Sequence, residues 1–182
     1  MSRLSPLDAP YADDVQASFD AIMPPGAPPL LLFRTLARSP RAWRKFRAGS
    51  LLDRGPLSLR QREIVIDRVC ARAGCGYEWG VHVAAFAKAA RLTEAEIAAT
   101  AAADPACASW SAEEIVLLRT IDALHDRATL SDDEFAALAA HFDADQIFEI
   151  LLLAGFYRTV AYVANGLALP PEPGAPALPI GD

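Results

Sequence analysis

Residues 63–82, EIVIDRVCARAGCGYEWGVH, hold two helices separated by a Gly-Cys-Gly turn. The first is expected from about Leu59 to Arg72. Ile64, Val65, Ile66, Val69 and Cys70 place apolar groups on nearly every side of it, the pattern of a helix buried most of the way round. Gly74-Cys75-Gly76 turns the chain into a second helix, expected to run to about Ala90. Glu63, Cys75, Glu78 and His82 are spaced by twelve, three and four residues. Such spacings let the four titratable groups converge from consecutive helices, and acid–base chemistry needs groups of this kind in a partly dry place.

Glu63 shares a helical face with Ile66 and Cys70, so its carboxyl points inward. It either serves as acid or base there, or pairs with a buried arginine such as Arg158 and only joins helices. Cys75 falls at a helix N-terminus, where free N–H groups favour a thiolate. A lone cysteine is more often a small buried hydrophobe, and on position alone that reading leads slightly. Cys70 and Cys107 lack such a setting and read as structural. Glu78 and His82, four apart, lie on one stripe with Cys75; Glu78 would hold one imidazole nitrogen and leave the other facing a pocket. The bland alternative is a surface pair, against which Gly80 argues by suggesting a close helix crossing. A metal half-site from Glu78 and His82 lacks further ligands, so no metal and no cofactor are expected. His125 and His141, on polar helix ends, read as surface residues.

Outward from this stretch the chain reads as all helix. Ser58-x-x-Gln61, Thr93-x-x-Glu96, Ser111-x-x-Glu114 and Ser131-x-x-Glu134 fit the capping box, and Asp143-x-x-Gln146 is a looser fifth case. Val15, Phe19 and Ile22 mark a short amphipathic helix closed by PPGAPP at 24–29. Helices are expected at roughly 30–38 and 41–50, divided by Ser39-Pro40. Arg34 to Arg47 holds six of the 17 basic residues, a solvated face or a contact to acidic neighbours. The apolar segment 147–169, IFEILLLAGFYRTVAYVANGLAL, carries Glu149, Arg158 and Asn165 and reads as a buried core helix rather than a membrane span. The tail PPEPGAPALPIGD, 170–182, is expected to lie over its own surface or a neighbour's.

With 182 residues, one domain spans 1–182, with a core at about 28–167 and the first helix and Pro-rich tail as extensions. The net charge of −6 makes a nucleic-acid partner unexpected. Three cysteines form no disulfide framework and suit a reducing cytoplasm, and the polar, Pro-broken start implies no signal peptide.

The pattern glutamate, eleven residues, Cys-x-x-Cys-x-x-x-His stands here as Glu63, eleven residues, Cys75-Gly76-Tyr77-Glu78-Trp79-Gly80-Val81-His82. It resembles the carboxymuconolactone decarboxylase and alkyl hydroperoxidase D-like superfamily. LFRTLARSPRAWRKF and RQREIVIDRV resemble it as well, and the likeness covers about residues 28–167. The resemblance implies an all-helical bundle that forms homo-oligomers, trimers or hexamers, with Glu63 and His82 in a proton relay. In the peroxidase branch the second cysteine attacks peroxide and the first resolves the disulfide; here Glu78 stands at the second position, so that cycle lacks a partner. The first expectation is therefore a small-molecule enzyme doing decarboxylase- or isomerase-type chemistry on a lactone or oxo acid. In it His82 moves the proton, Glu63 and Glu78 orient it, and Tyr77 or Cys75 is a candidate donor or substrate contact. A peroxidase-like, peroxiredoxin-type activity using Cys75 alone is the second, and an oligomeric binding protein with a degenerate site the third.

Overall fold

The computed structural model describes residues 2–179, and these form nine α-helices and one 3-10 turn with no strand among them. In order they are α1 (Asp13–Asp20), α2 (Leu31–Leu36), α3 (Pro40–Ala48), α4 (Leu59–Arg72), α5 (Gly76–Phe86), α6 (Glu94–Ala101), the turn Pro105–Cys107, α7 (Ala112–Arg127), α8 (Asp132–Ala139) and α9 (Ala144–Gly166). The bounds of α4 are those its sequence predicts. All five capping boxes are formed, from Ser58, Thr93, Ser111, Ser131 and Asp143. Each hydroxyl or carboxylate takes an N–H that helix geometry leaves unpaired, worth about 1 kcal/mol per cap.

α4 is the hub. It packs on α5, α6, α7 and α9, and Ile64, Val65, Ile66 and Cys70 are fully buried within it. α2 and α3 form a smaller cluster with α1, where Phe19 and Trp43 meet edge to face and the Trp43 indole donates to Ser18 Oγ at 2.8 Å. Arg68, also fully buried, binds α4 to two other elements. Its guanidinium donates to both carboxylate oxygens of Asp122 on α7 at 2.7 and 2.8 Å, and to the carbonyls of Thr100 and Ala102 at the end of α6.

Three expectations need correction. Regular α5 ends at Phe86 rather than near Ala90; a looser turn follows and closes through Leu92 N–H to Ala87 C=O, with Arg91 at φ 57°. No glycine marks that turn, so the Ala-rich run hides it. α9 is a core helix on one face only. Ile150, Leu153, Tyr157 and Val160 are buried, whereas Phe148 (63%), Leu152 (61%) and Tyr162 (65%) lie open along the opposite stripe. Length and hydropathy alone would let α9 cross a bilayer, but its buried face closes the core against α4. Finally, Gly80 accommodates the tail rather than a helix crossing. A Cβ at Gly80 would fall 2.5 Å from the Pro176 carbonyl oxygen and 3.3 Å from Ala175 Cβ.

The tail lies over its own chain, as one of its two expected placements; its last three residues fall outside the described part. Glu172 anchors it by accepting from Tyr77 Oη and from Leu31 N–H, both at 2.5 Å, while Tyr77 Oη accepts from Leu32 N–H. Gly80→Ala is expected to lift residues 171–179 from α5, because backbone 2.5 Å from a new methyl cannot yield in place. Hydrogen exchange should then show lost protection at Leu31 and Leu32. Unchanged exchange there would contradict the contact.

Candidate active site

α4 and α5 meet where their most polar buried residues face one another. His82 is 2% exposed, Glu63 0% and Glu78 6%. The imidazole Nδ1–H donates to Glu63 Oε2 at 2.7 Å, and Nε2 lies 3.5 Å from Glu78 Oε1. Glu63 Oε1 accepts from Arg62 Nε at 3.0 Å, and the Arg62 guanidinium lies over the Phe86 ring. The imidazole is walled by Tyr157 edge-on, with ring centroids 5.0 Å apart, and by Phe86 at 5.3 Å. Glu63 is thus neither alone nor paired with Arg158, which instead meets His125 and Tyr162. The tight imidazole partner is Glu63 and not Glu78. The eleven-residue gap that joins the helices back to back sets that contact, which the i,i+4 spacing of Glu78 could not show.

Electrostatics follow from this geometry. Burial alone would drive the imidazole toward its neutral form. The hydrogen bonds and charges of Glu63 and Glu78 outweigh it and raise His82 to about 10, so the ring is an imidazolium at neutral pH. Both nitrogens then carry protons and both face carboxylates, leaving no nitrogen free for a pocket. His82 binds its proton more tightly in the folded state than in the unfolded chain. Its contribution to stability is whole below about 6.5 and lost as pH rises to about 10. The melting temperature is expected to fall across that window, and a flat profile would contradict the pairing.

Cys75 caps α5 and is fully buried. Burial pushes its thiol up to about 11 despite the opposing pull of the Glu78 and Tyr77 backbone N–H groups, so the thiolate favoured by helix position does not form at neutral pH. Tyr77 sits one residue from the site stripe, with its hydroxyl engaged by the tail. Burial and the Glu172 carboxylate raise that hydroxyl, which keeps its proton. The structure therefore brings Glu63, Glu78 and His82 into direct contact and places Cys75 one turn before Glu78. It turns the Tyr77 hydroxyl to Glu172. Cys70 is buried, and Cys107 is exposed on the 3-10 turn. Among the described residues no three His, Cys, Asp or Glu side chains are arranged to hold a metal ion.

Two neighbours escape a reading by motif. Arg62 was visible as the basic residue before Glu63. Asp67 stands one turn after Glu63, 1% exposed, and its Oδ1 has no hydrogen-bond partner. A carboxylate in the middle of an apolar run, four residues after another, was the signal for it.

Fold and site together define a helical protein with a glutamate–histidine pair under a cysteine-capped helix. The carboxymuconolactone decarboxylase family profile matches residues 37–122. An uncharacterized peroxidase-related protein from Silicibacter superposes with a TM-score of 0.84 at 20% identity, over 96% of this chain and 93% of its own. A structure described as an alkylhydroperoxidase AhpD core, an uncharacterized peroxidase-related protein from Ralstonia eutropha, gives 0.83 at 20% identity, over 94% and 93%. A protein of unknown function from Agrobacterium tumefaciens gives 0.68 at 24% identity, over 75% and 94%. No curated protein matches in sequence. Residues 37–122 thus resemble the carboxymuconolactone decarboxylase family, and the all-helical fold of the described residues is the one those structures share.

Proposed function

We propose that the protein is a small-molecule acid–base enzyme, with decarboxylase- or isomerase-type chemistry on a lactone or oxo acid. The observation that carries it is an imidazole held between two carboxyl groups in a dry site, an arrangement that favours its charged form. Such reactions pass through an enolate-like state, and a fixed imidazolium stabilises that negative charge far better in a dry site than in water. His82 supplies the positive charge and, once Glu78 gives up its looser 3.5 Å contact, the Nε2 proton, while Glu63 holds the ring. The test is a screen of lactones and oxo acids with wild type and His82→Gln. The reading expects a turnover that falls about 10²–10⁴-fold in the variant. Turnover that survives the substitution would refute it.

The second reading is peroxide reduction by Cys75 with an external thiol as reductant. The peroxidase-related names of the similar structures favour it, whereas a buried, protonated thiol and Glu78 in place of a second cysteine weigh against it. Mass spectrometry after hydroperoxide treatment separates the two, since only the redox reading expects a sulfenic acid at Cys75. A binding protein with an inert site would show neither outcome. A cytoplasmic setting fits three unpaired thiols. Self-association belongs to the same proposal. Its surface is the α9 stripe of Phe148, Leu152 and Tyr162, and light scattering on Leu152→Glu is expected to show smaller particles than wild type.

A further inference from the structure

The residues of the acid–base reading balance in charge without Asp67. His82 and Arg62 contribute two positive charges, and the Glu63 and Glu78 carboxylates two negative ones. Asp67 is a third carboxyl in the same stripe, four residues after Glu63 and 1% exposed. Its Oδ1 is buried and accepts nothing, and unlike Glu78, whose Oε2 is also unpartnered but whose Oε1 faces His82, Asp67 has no ion-pair partner among the described residues. An ionised oxygen left dry and unpartnered is costly, whereas a neutral carboxyl tolerates the same place. The charged groups that act on it are His82 from α5 and Glu63 from its own helix, one pulling each way.

We propose that Asp67 is a proton-storing residue that acts through the Glu63–His82 pair: neutral at physiological pH, it keeps the buried site from carrying net negative charge. Burial is the main cause, the Glu63 charge adds to it, and the His82 charge opposes it; together they bring Asp67 to about 8. When its proton leaves for solvent, the site gains a negative charge that opposes the enolate-like charge the imidazolium serves. Asp67 is thus a positioning residue for the site's field, and no contact with substrate is required of it.

This rests on the acid–base reading for its role in turnover, but its first test needs no substrate. Infrared spectra of the wild type should show the carbonyl band of a protonated carboxyl at neutral pH. That band should bleach as pH passes about 8, shift with isotope-labelled aspartate, and be absent in Asp67→Asn. A band that survives in the variant, or no aspartate-dependent band in the wild type, would overturn the proposal whatever the enzyme does. Labelled wild type alone carries the test should the variant fold poorly. The second test is the pH profile of whatever turnover the screen yields. Wild-type kcat/KM should fall about tenfold between about pH 7 and about pH 9, while Asp67→Asn, fixed in the neutral form, holds a plateau. The same fall in both would overturn the proposal. A screen that yields no turnover at all, with the infrared band present, would count against the acid–base reading and not against proton storage.

Discussion

Glu63→Ala is expected to remove about 3–5 kcal/mol of stability and to strip His82 of its charge at neutral pH. Glu63 is fully buried and makes the shorter contact to the imidazole, at 2.7 Å; it also takes Arg62. Without it an imidazolium and a guanidinium face one distant carboxylate, 3.5 Å from Nε2. Burial, already the largest influence on the ring and a depressing one, then prevails. Glu63→Gln separates charge from packing. It keeps the shape and an acceptor, so it should cost less stability than alanine while still lowering His82 from about 10. Chemical denaturation of both variants checks the order. Equal stability of wild type and alanine variant would mean that the pair is an ornament of the fold.

Arg68→Ala should be as damaging for a different reason. Four of the guanidinium N–H donors are engaged, two on Asp122 and two on backbone carbonyls of Thr100 and Ala102. Removing them strands two carbonyls and leaves Asp122 with only the longer 3.3 Å contact to Arg72 while opening a cavity at the hub helix, at about 3–5 kcal/mol. Against a total of roughly 5–15 kcal/mol this brings the chain near its limit. Arg68→Lys should recover little, because a single ammonium cannot span a carboxylate and two carbonyls at once. A loss of less than about 1 kcal/mol in urea denaturation would show that the network is replaceable.

Much of this structure was written locally. Capping residues and the buried run of α4 are properties of neighbouring residues, and they fixed helix starts to the residue. Glu63 was legible as buried because it shares a helical face with Ile66 and Cys70, and His82 as the neighbour of Glu78 on one stripe with Cys75. Their mutual contact was not, since it depends on how α4 and α5 cross. Nor was the fate of Tyr77, whose hydroxyl is taken by Glu172, 95 residues away. Gly80 signalled a close approach correctly, but the approaching backbone came from the tail. α9 reads as uniformly apolar, so composition could not tell its core face from the open one. Arg158 offered a plausible buried partner for Glu63, yet the helix face that carries it turns to His125. Charge partners across helices are set by packing, and packing is what a single sequence states least directly.

The whole site turns on His82 being an imidazolium clamped by carboxylates in the dry interior. Its direct test is a titration of the ring by NMR in the intact protein. The structure predicts a charged ring at neutral pH, losing its proton only near about 10. A His82 that titrates at or below its ordinary value of 6.5, or is already neutral at pH 7, would contradict the account.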